Sequence, residues 1–309
     1  MGMTTNQLEL IRYVAENHFQ KAKRAALACC IEDKTQKNAL YVKRYRSMLE
    51  NKGLNMIELP HNISGFATLE DLSMTFLEKR YFLTEREEKL YRLIQKMYKV
   101  SSVLQEKHIP YLNATLLYGE TGCGKTEFSK YVAYKMQMPY LYVNLTKMVD
   151  SYLGKSAQNL SNLFSYINQQ QCVVMLDELD SLAIHRSYGQ DSASSEIART
   201  TTCLLQLLDS VTNNHIILAA TNLRDSIDSA VVRRFTQHHE IKRLTEEERR
   251  AYIIKFLADI GMEYDETSLG HYVLLNQSQA EITTHIMYCR HTFGRKGDSG
   301  ILGMLGWNT

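Results

Sequence analysis

The chain has 309 residues, 44% hydrophobic and 23% charged, with a net charge of +2. That composition is ordinary for a globular protein, leaves room for one large domain plus smaller ones, and excludes a molecule drawn to polyanions by net charge alone. The six cysteines, Cys29, Cys30, Cys123, Cys172, Cys203 and Cys289, form no C-x-x-C pair and keep no histidine cluster, which argues against zinc and suits a reducing compartment.

Charge is uneven along the chain. Residues 1–59 carry ten Lys/Arg against six Asp/Glu, and the remainder carries 26 against 28. A basic front end either contacts nucleic acid or an acidic protein, or is simply a solvated helix surface. The first residues lack a basic segment leading into an apolar core, so no secretory signal is expected. No apolar run approaches the ~20 residues that cross a bilayer. A soluble, cytoplasmic protein is expected.

Apolar residues at helical spacing predict a helix over 6–31, and a second pattern through Leu40, Tyr41, Tyr45, Met48 and Leu49 closes at Gly53. The expectation is a helical hairpin over residues 1–60, with 59–65 as a linker. Thr84 followed by Glu87 predicts a capping box that opens a helix running to about Leu104. Short apolar strands are then expected at 114–118, 140–144, 172–176, 215–219 and 238–242, with helices between most of them. Continuous apolar strands alternating with helices imply an α/β fold: a five-stranded parallel sheet covered on both faces, over residues 61–243. Strand signals fade after Leu244. Helices from Thr245, over 266–275 and over 279–293 are expected to form a helical lid within 244–309, followed by a loose tail.

The motif with the most chemistry is Gly119-Glu120-Thr121-Gly122-Cys123-Gly124-Lys125-Thr126, which fits G-x-x-x-x-G-K-[ST] between a strand and a helix. The glycines let the backbone curl so that its N–H groups face an anion, at a helix N-terminus. Lys125 reaches the β- and γ-phosphates of ATP, and Thr126 offers its hydroxyl to Mg²⁺. Cys123, beside that helix end and Lys125, is expected to favour the thiolate. Downstream, Val173-Val174-Met175-Leu176 delivers Asp177 and Glu178 at a strand's carboxyl edge, where open α/β sheets bind ligands. Asp177 suits Mg²⁺, held through water, and Glu178 suits polarising an attacking water. Asn222 ends a further strand beside these acids, and Arg233-Arg234 follows on a loop.

In type, order and spacing these motifs resemble the AAA family of ATPases, in its protein-remodelling branch, over about residues 61–293. The layout is similar to stand-alone bacterial or phage AAA proteins. The resemblance implies a P-loop ATPase core in which Asn222 senses the γ-phosphate. It also implies that Arg233 and Arg234 complete a neighbouring subunit's site within a ring, expected to be a homo-hexamer. Ser151-Tyr152-Leu153-Gly154 falls where that family places a pore loop, so Tyr152, Leu153 and Gly154 are expected to grip a protein substrate; the alternative is a turn with a buried tyrosine. Arg199 is expected to relay nucleotide state between subunits. A protease or an adaptor is an implied partner, and a nucleic-acid-associated ATPase is the second reading. Departures are Glu120 and Cys123 where the family's loop commonly has Pro and Thr, a missing Pro before Arg233, and the non-glycine turn Ser278-Gln279-Ala280-Glu281 in the lid.

Overall fold

The computed structural model describes residues 2–16, 19–50, 59–73, 75–109, 111–149, 155–169, 171–183, 192–211 and 215–293. Three helices come first: α1 (Thr5–Ala15), α2 (Phe19–Glu32) and α3 (Ala39–Glu50). The helix expected over 6–31 is therefore two. α1 packs on α2, and α2 on α3. Ala22 and Ala25 are buried on α2, and side chains this small let helices approach closely.

The expected linker is also an anchored turn. Ile63 N–H donates to Pro60 O at 3.0 Å, and Ile63 is 1% exposed against the core. It delivers β1 (Ala67–Glu70), a strand the sequence reading missed. Four residues with Leu69 as the one large apolar side chain give too short a signal.

α4 (Glu85–Glu106) starts at the expected box: Thr84 N–H donates to Glu87 Oε2 at 3.1 Å, and Glu87 N–H to Thr84 Oγ1 at 3.3 Å. The alternating core then runs β2 (Asn113–Tyr118), α5 (Lys125–Met136), β3 (Tyr140–Asn144), α6 (Leu145–Met148), α7 (Lys155–Ile167), β4 (Val173–Asp177), α8 (Asp180–Ala183), α9 (Ser192–Asp209), β5 (Ile216–Thr221), α10 (Ser229–Val232) and β6 (Gln237–Glu240).

The sheet has six strands, ordered β1-β3-β4-β5-β2-β6, where the sequence reading expects five. The five expected strands pair in parallel, and β1 adds an antiparallel edge to β3. Side chains alternate between two buried layers. Leu116, Val174 and Ile217 face α7 and α9, whereas Leu117, Met175 and Leu218 face α4 and α5. The other edge, β6, reads Gln-His-His-Glu, with His238 and Glu240 exposed.

Beyond Leu244 the lid helices α11 (Glu246–Ile260), α12 (Glu266–Leu274) and α13 (Gln279–Phe293) enclose their own core of Ile253, Leu257, Leu269 and Ile282. Segment 76–82 ties this unit to the sheet. Lys79 and Arg80 both pair with Asp259 of α11, Lys255 Nζ donates to Tyr81 O at 2.6 Å, and Phe82 packs edge-on against Tyr252. On its other side Tyr81 stacks on Tyr131 of α5, with centroids 4.7 Å apart.

Candidate functional site

The carboxyl ends of β2, β4 and β5 meet at one cleft of roughly 840 Å³. The loop after β2 forms its floor. Gly119, Gly122 and Gly124 all have positive φ, at 142°, 81° and 96°. Space restricts them as much as conformation. A Cβ on Gly119 would lie 2.2 Å from Ile241 O, and one on Gly124 would lie 2.8 Å from Gln279 Oε1 of the lid. Only glycine fits both demands.

Lys125 opens α5 and folds back over this loop. Its Nζ donates to Gly119 O at 2.7 Å, Glu120 O at 2.8 Å and Asn222 Oδ1 at 2.7 Å. Burial lowers its pKa, because three neutral oxygens replace water around the ammonium. An arriving phosphate would offer charge-assisted bonds in their place. Thr126 Oγ1 donates to Asp177 Oδ2 at 3.3 Å, and Tyr142 Oη donates to the same oxygen at 3.1 Å. Burial, and then the Asp177 charge, push the Tyr142 phenol up to about 12. Glu178 N–H donates to Asp177 Oδ1 at 3.0 Å. Glu178 itself is exposed and has φ of 60°, a left-handed conformation that costs a non-glycine residue energy and concentrates at functional positions.

Five of the expected site residues, Lys125, Thr126, Asp177, Glu178 and Asn222, therefore line one cleft, together with Thr121 to Gly124. The donors at Thr126 and Asp177 are all oxygen. That set suits Mg²⁺, which takes one or two carboxylates plus substrate phosphates rather than a full protein cage. Among the described residues, no group of three or more His, Cys, Asp or Glu is poised to hold a metal.

The family model described as "ATPase family associated with various cellular activities (AAA)" matches residues 115–243. Residues 115–243 thus form an AAA-family domain. The chain is 35% identical to the uncharacterized AAA family ATPase y4kL of Sinorhizobium fredii, over 40% of this chain and 36% of that one. It is 32% identical to the 26S proteasome subunit RPT4 of Saccharomyces cerevisiae, over 49% and 35%. Likeness to the peroxisomal ATPase pex6 of Schizosaccharomyces pombe is 33%, over 39% and 13%. The chain thus spans about a third or less of these relatives' own lengths. A chain in the structure of the E. coli MS115-1 HORMA:CdnC:Trip13 complex shares the fold, with a TM-score of 0.60 at 18% identity, over 82% of this chain and 98% of that one.

The departures from the AAA loop have physical counterparts here. Glu120 pairs with Arg243 at 2.6 Å, and Arg243 also donates to Asn276 O in the lid. The non-glycine lid turn reaches the loop: Ala280 N–H donates to Gly122 O at 3.2 Å, and a Cβ on Gly122 would meet Ser278 Oγ at 2.8 Å. Cys123 overturns the thiolate expectation. It is 1% exposed, and burial outweighs Lys125 and raises its pKa.

The two arginines after α10 differ. Arg234 clamps Asp209 at the end of α9 with two bonds of 3.0 Å, whereas Arg233 is exposed. Arg199 is exposed on α9. Tyr152, Leu153 and Gly154 lie outside the described residues. Sequence reasoning missed Tyr142, Arg243 and the aromatic arm of the cleft around Phe76, Phe82, Tyr252 and Phe256. Only the alternation of β3, which puts Tyr140 and Tyr142 on one face, hinted at any of them.

Proposed function

We propose that the chain binds and hydrolyses ATP with Mg²⁺, assembles into a ring, expected to be a hexamer, and uses turnover to remodel a protein in the cytoplasm. Residues 1–60 serve as a helical front end, 61–243 as the ATPase core and 244–309 as lid and tail. The observation that carries this reading is the convergence of Lys125, Thr126, Asp177, Glu178 and Asn222 on one cleft. The glycine loop presents its amides to the phosphates, and Lys125 exchanges its carbonyl partners for β- and γ-oxygens. Thr126 and Asp177 would hold the cation, which when bound would neutralise charge developing on the phosphates. Glu178 accepts a proton from the attacking water, and Asn222 orients that water and the γ-phosphate.

Arg233 is the finger we assign to a neighbouring subunit's site, and Arg234 positions it. The assignment rests on the clamp to Asp209, which occupies Arg234 and leaves Arg233 exposed. The relative named for the proteasome supports a protein substrate, and Tyr152, Leu153 and Gly154 are the residues proposed to grip it. A protease partner is proposed on the same ground, and an adaptor on the family resemblance alone.

The test is nucleotide turnover by the full chain, with and without unfolded protein or DNA, alongside its mass in solution with ATP. Stimulation by unfolded protein in an oligomer is the expected result. Stimulation by DNA alone would favour the nucleic-acid reading, and turnover by a strict monomer would remove the finger assignment.

A further inference from the structure

We infer that Tyr142 is a positioning residue for Asp177, fixing which carboxylate oxygen engages Thr126 and which is turned toward the backbone of Glu178. The inference rests on the ATP- and Mg²⁺-binding reading above.

The Asp177 carboxylate is addressed from three directions. Thr126 on α5 and Tyr142 on β3 both donate to Oδ2, at 3.3 and 3.1 Å, and the Glu178 amide donates to Oδ1 at 3.0 Å. A carboxylate can rotate about its last bond; three donors arranged this way leave it one orientation. Parallel pairing of β3 with β4 sets the reach. Asn144 lies opposite Asp177, and Tyr142 opposite Met175, so the phenol extends along the strand axis to the acid at the strand end.

The same strand grips the other member of the pair. Two residues earlier, Tyr140 Oη lies 2.7 Å from Ser129 Oγ, and Ser129 Oγ in turn donates to Thr126 O at 2.6 Å. Because the serine's one hydroxyl proton is committed to Thr126, Tyr140 is the donor between them. β3 therefore holds both Thr126, through its backbone, and Asp177, through its side chain. The spacing of these two oxygen donors is set by a strand that contributes no ligand of its own. Outer partners of this kind tune a metal site through the groups they orient.

Packing alone is the rival explanation, since Tyr142 also sits against the core layer of Leu117 and Met175. Tyr142→Phe separates the two, because it keeps the ring and removes only the donor. The experiment is binding of a fluorescent ATP analogue to the full chain, with Mg²⁺ titrated and with a chelator present, and a thermal melt of each protein. For Tyr142→Phe the expected result is a Mg²⁺ half-saturation raised about tenfold, with metal-free nucleotide affinity and melting temperature unchanged. A Mg²⁺ curve that overlays the wild type overturns the inference and leaves the proposed function intact. So does an equal loss of metal-free binding, or a lowered melting point, which would make the tyrosine merely structural. Wild-type binding that ignores Mg²⁺ altogether overturns both.

Discussion

At the scale of single residues, what each side chain can do is set by what it already touches. Glu178 is exposed and held in a left-handed backbone, and among the described residues its carboxylate makes none of the bonds that occupy Asp177. Glu178→Gln keeps shape and removes the base. It is expected to bind ATP like the wild type and lose turnover by at least about 10²-fold, the usual contribution of a positioned general base; parallel binding and phosphate-release assays check this. Cys123 now carries the opposite expectation from the one its neighbours suggested. Buried at 1% exposure with a raised pKa, it is expected to alkylate more slowly than the half-buried Cys29 and Cys30 at neutral pH, as read by mass-mapped labelling over time. The two arginines are likewise separable. Arg233→Ala is expected to cost turnover about 10³-fold, whereas Arg234→Ala acts through the loop and is expected to cost less. Equal losses in a turnover assay would put the finger on both.

At the scale of elements, helix starts were the most legible features, because a capping box is local chemistry. Thr84 with Glu87 announced α4, and Thr245 with Glu248 makes the same reciprocal bonds at α11. Ser278 with Glu281 does so at α13, which runs over the residues expected, 279–293. Replacing Ser278 by Ala is expected to cost about 1 kcal/mol in urea unfolding, the usual worth of a cap. Four of the five parallel strands, β2 to β5, were legible for a different reason: each is largely buried and reads as a mainly apolar run, which the polar β6 does not. β1 was not, being four residues long, and neither was the break between α1 and α2, because apolar positions continue across it in helical phase. In the site, residues that act by their own chemistry were found by motif. Tyr142 and Arg243 act by holding others, and no spacing marks such a role.

Across the whole molecule, one buried group makes stability depend on pH. His215, at the foot of β5, is 1% exposed, and neither ring nitrogen has a hydrogen-bond partner among the described residues. Burial holds its pKa down to about 4. The unfolded chain takes up a proton near 6.5 that the folded chain refuses. Stability from this group is therefore complete above about pH 6.5, declines as pH falls toward 4, and declines no further below that. The span corresponds to roughly 3 kcal/mol in all and about 2 kcal/mol between pH 7.5 and 5. His239 is shifted in the same direction, also by burial first. Chemical denaturation at pH 7.5 and 5 of the wild type and of His215→Leu checks this: most of the pH difference is expected to vanish in the variant, and its persistence would place the sensitivity elsewhere.

The two outer strands of the sheet have a consequence for how the protein behaves in a crowded solution. Any open sheet leaves rows of unpaired amides and carbonyls at its margins, and these can recruit a second chain into an indefinite, non-native stack. One margin here is only four residues long and the other is Gln-His-His-Glu, with its two outward side chains polar. Brevity on both sides, and polarity on the second, discourage such recruitment. Exchanging His238 and Glu240 for valine leaves the cleft untouched. It is expected to raise light scattering on prolonged incubation at high concentration, while nucleotide binding by the protein that stays in solution is unchanged.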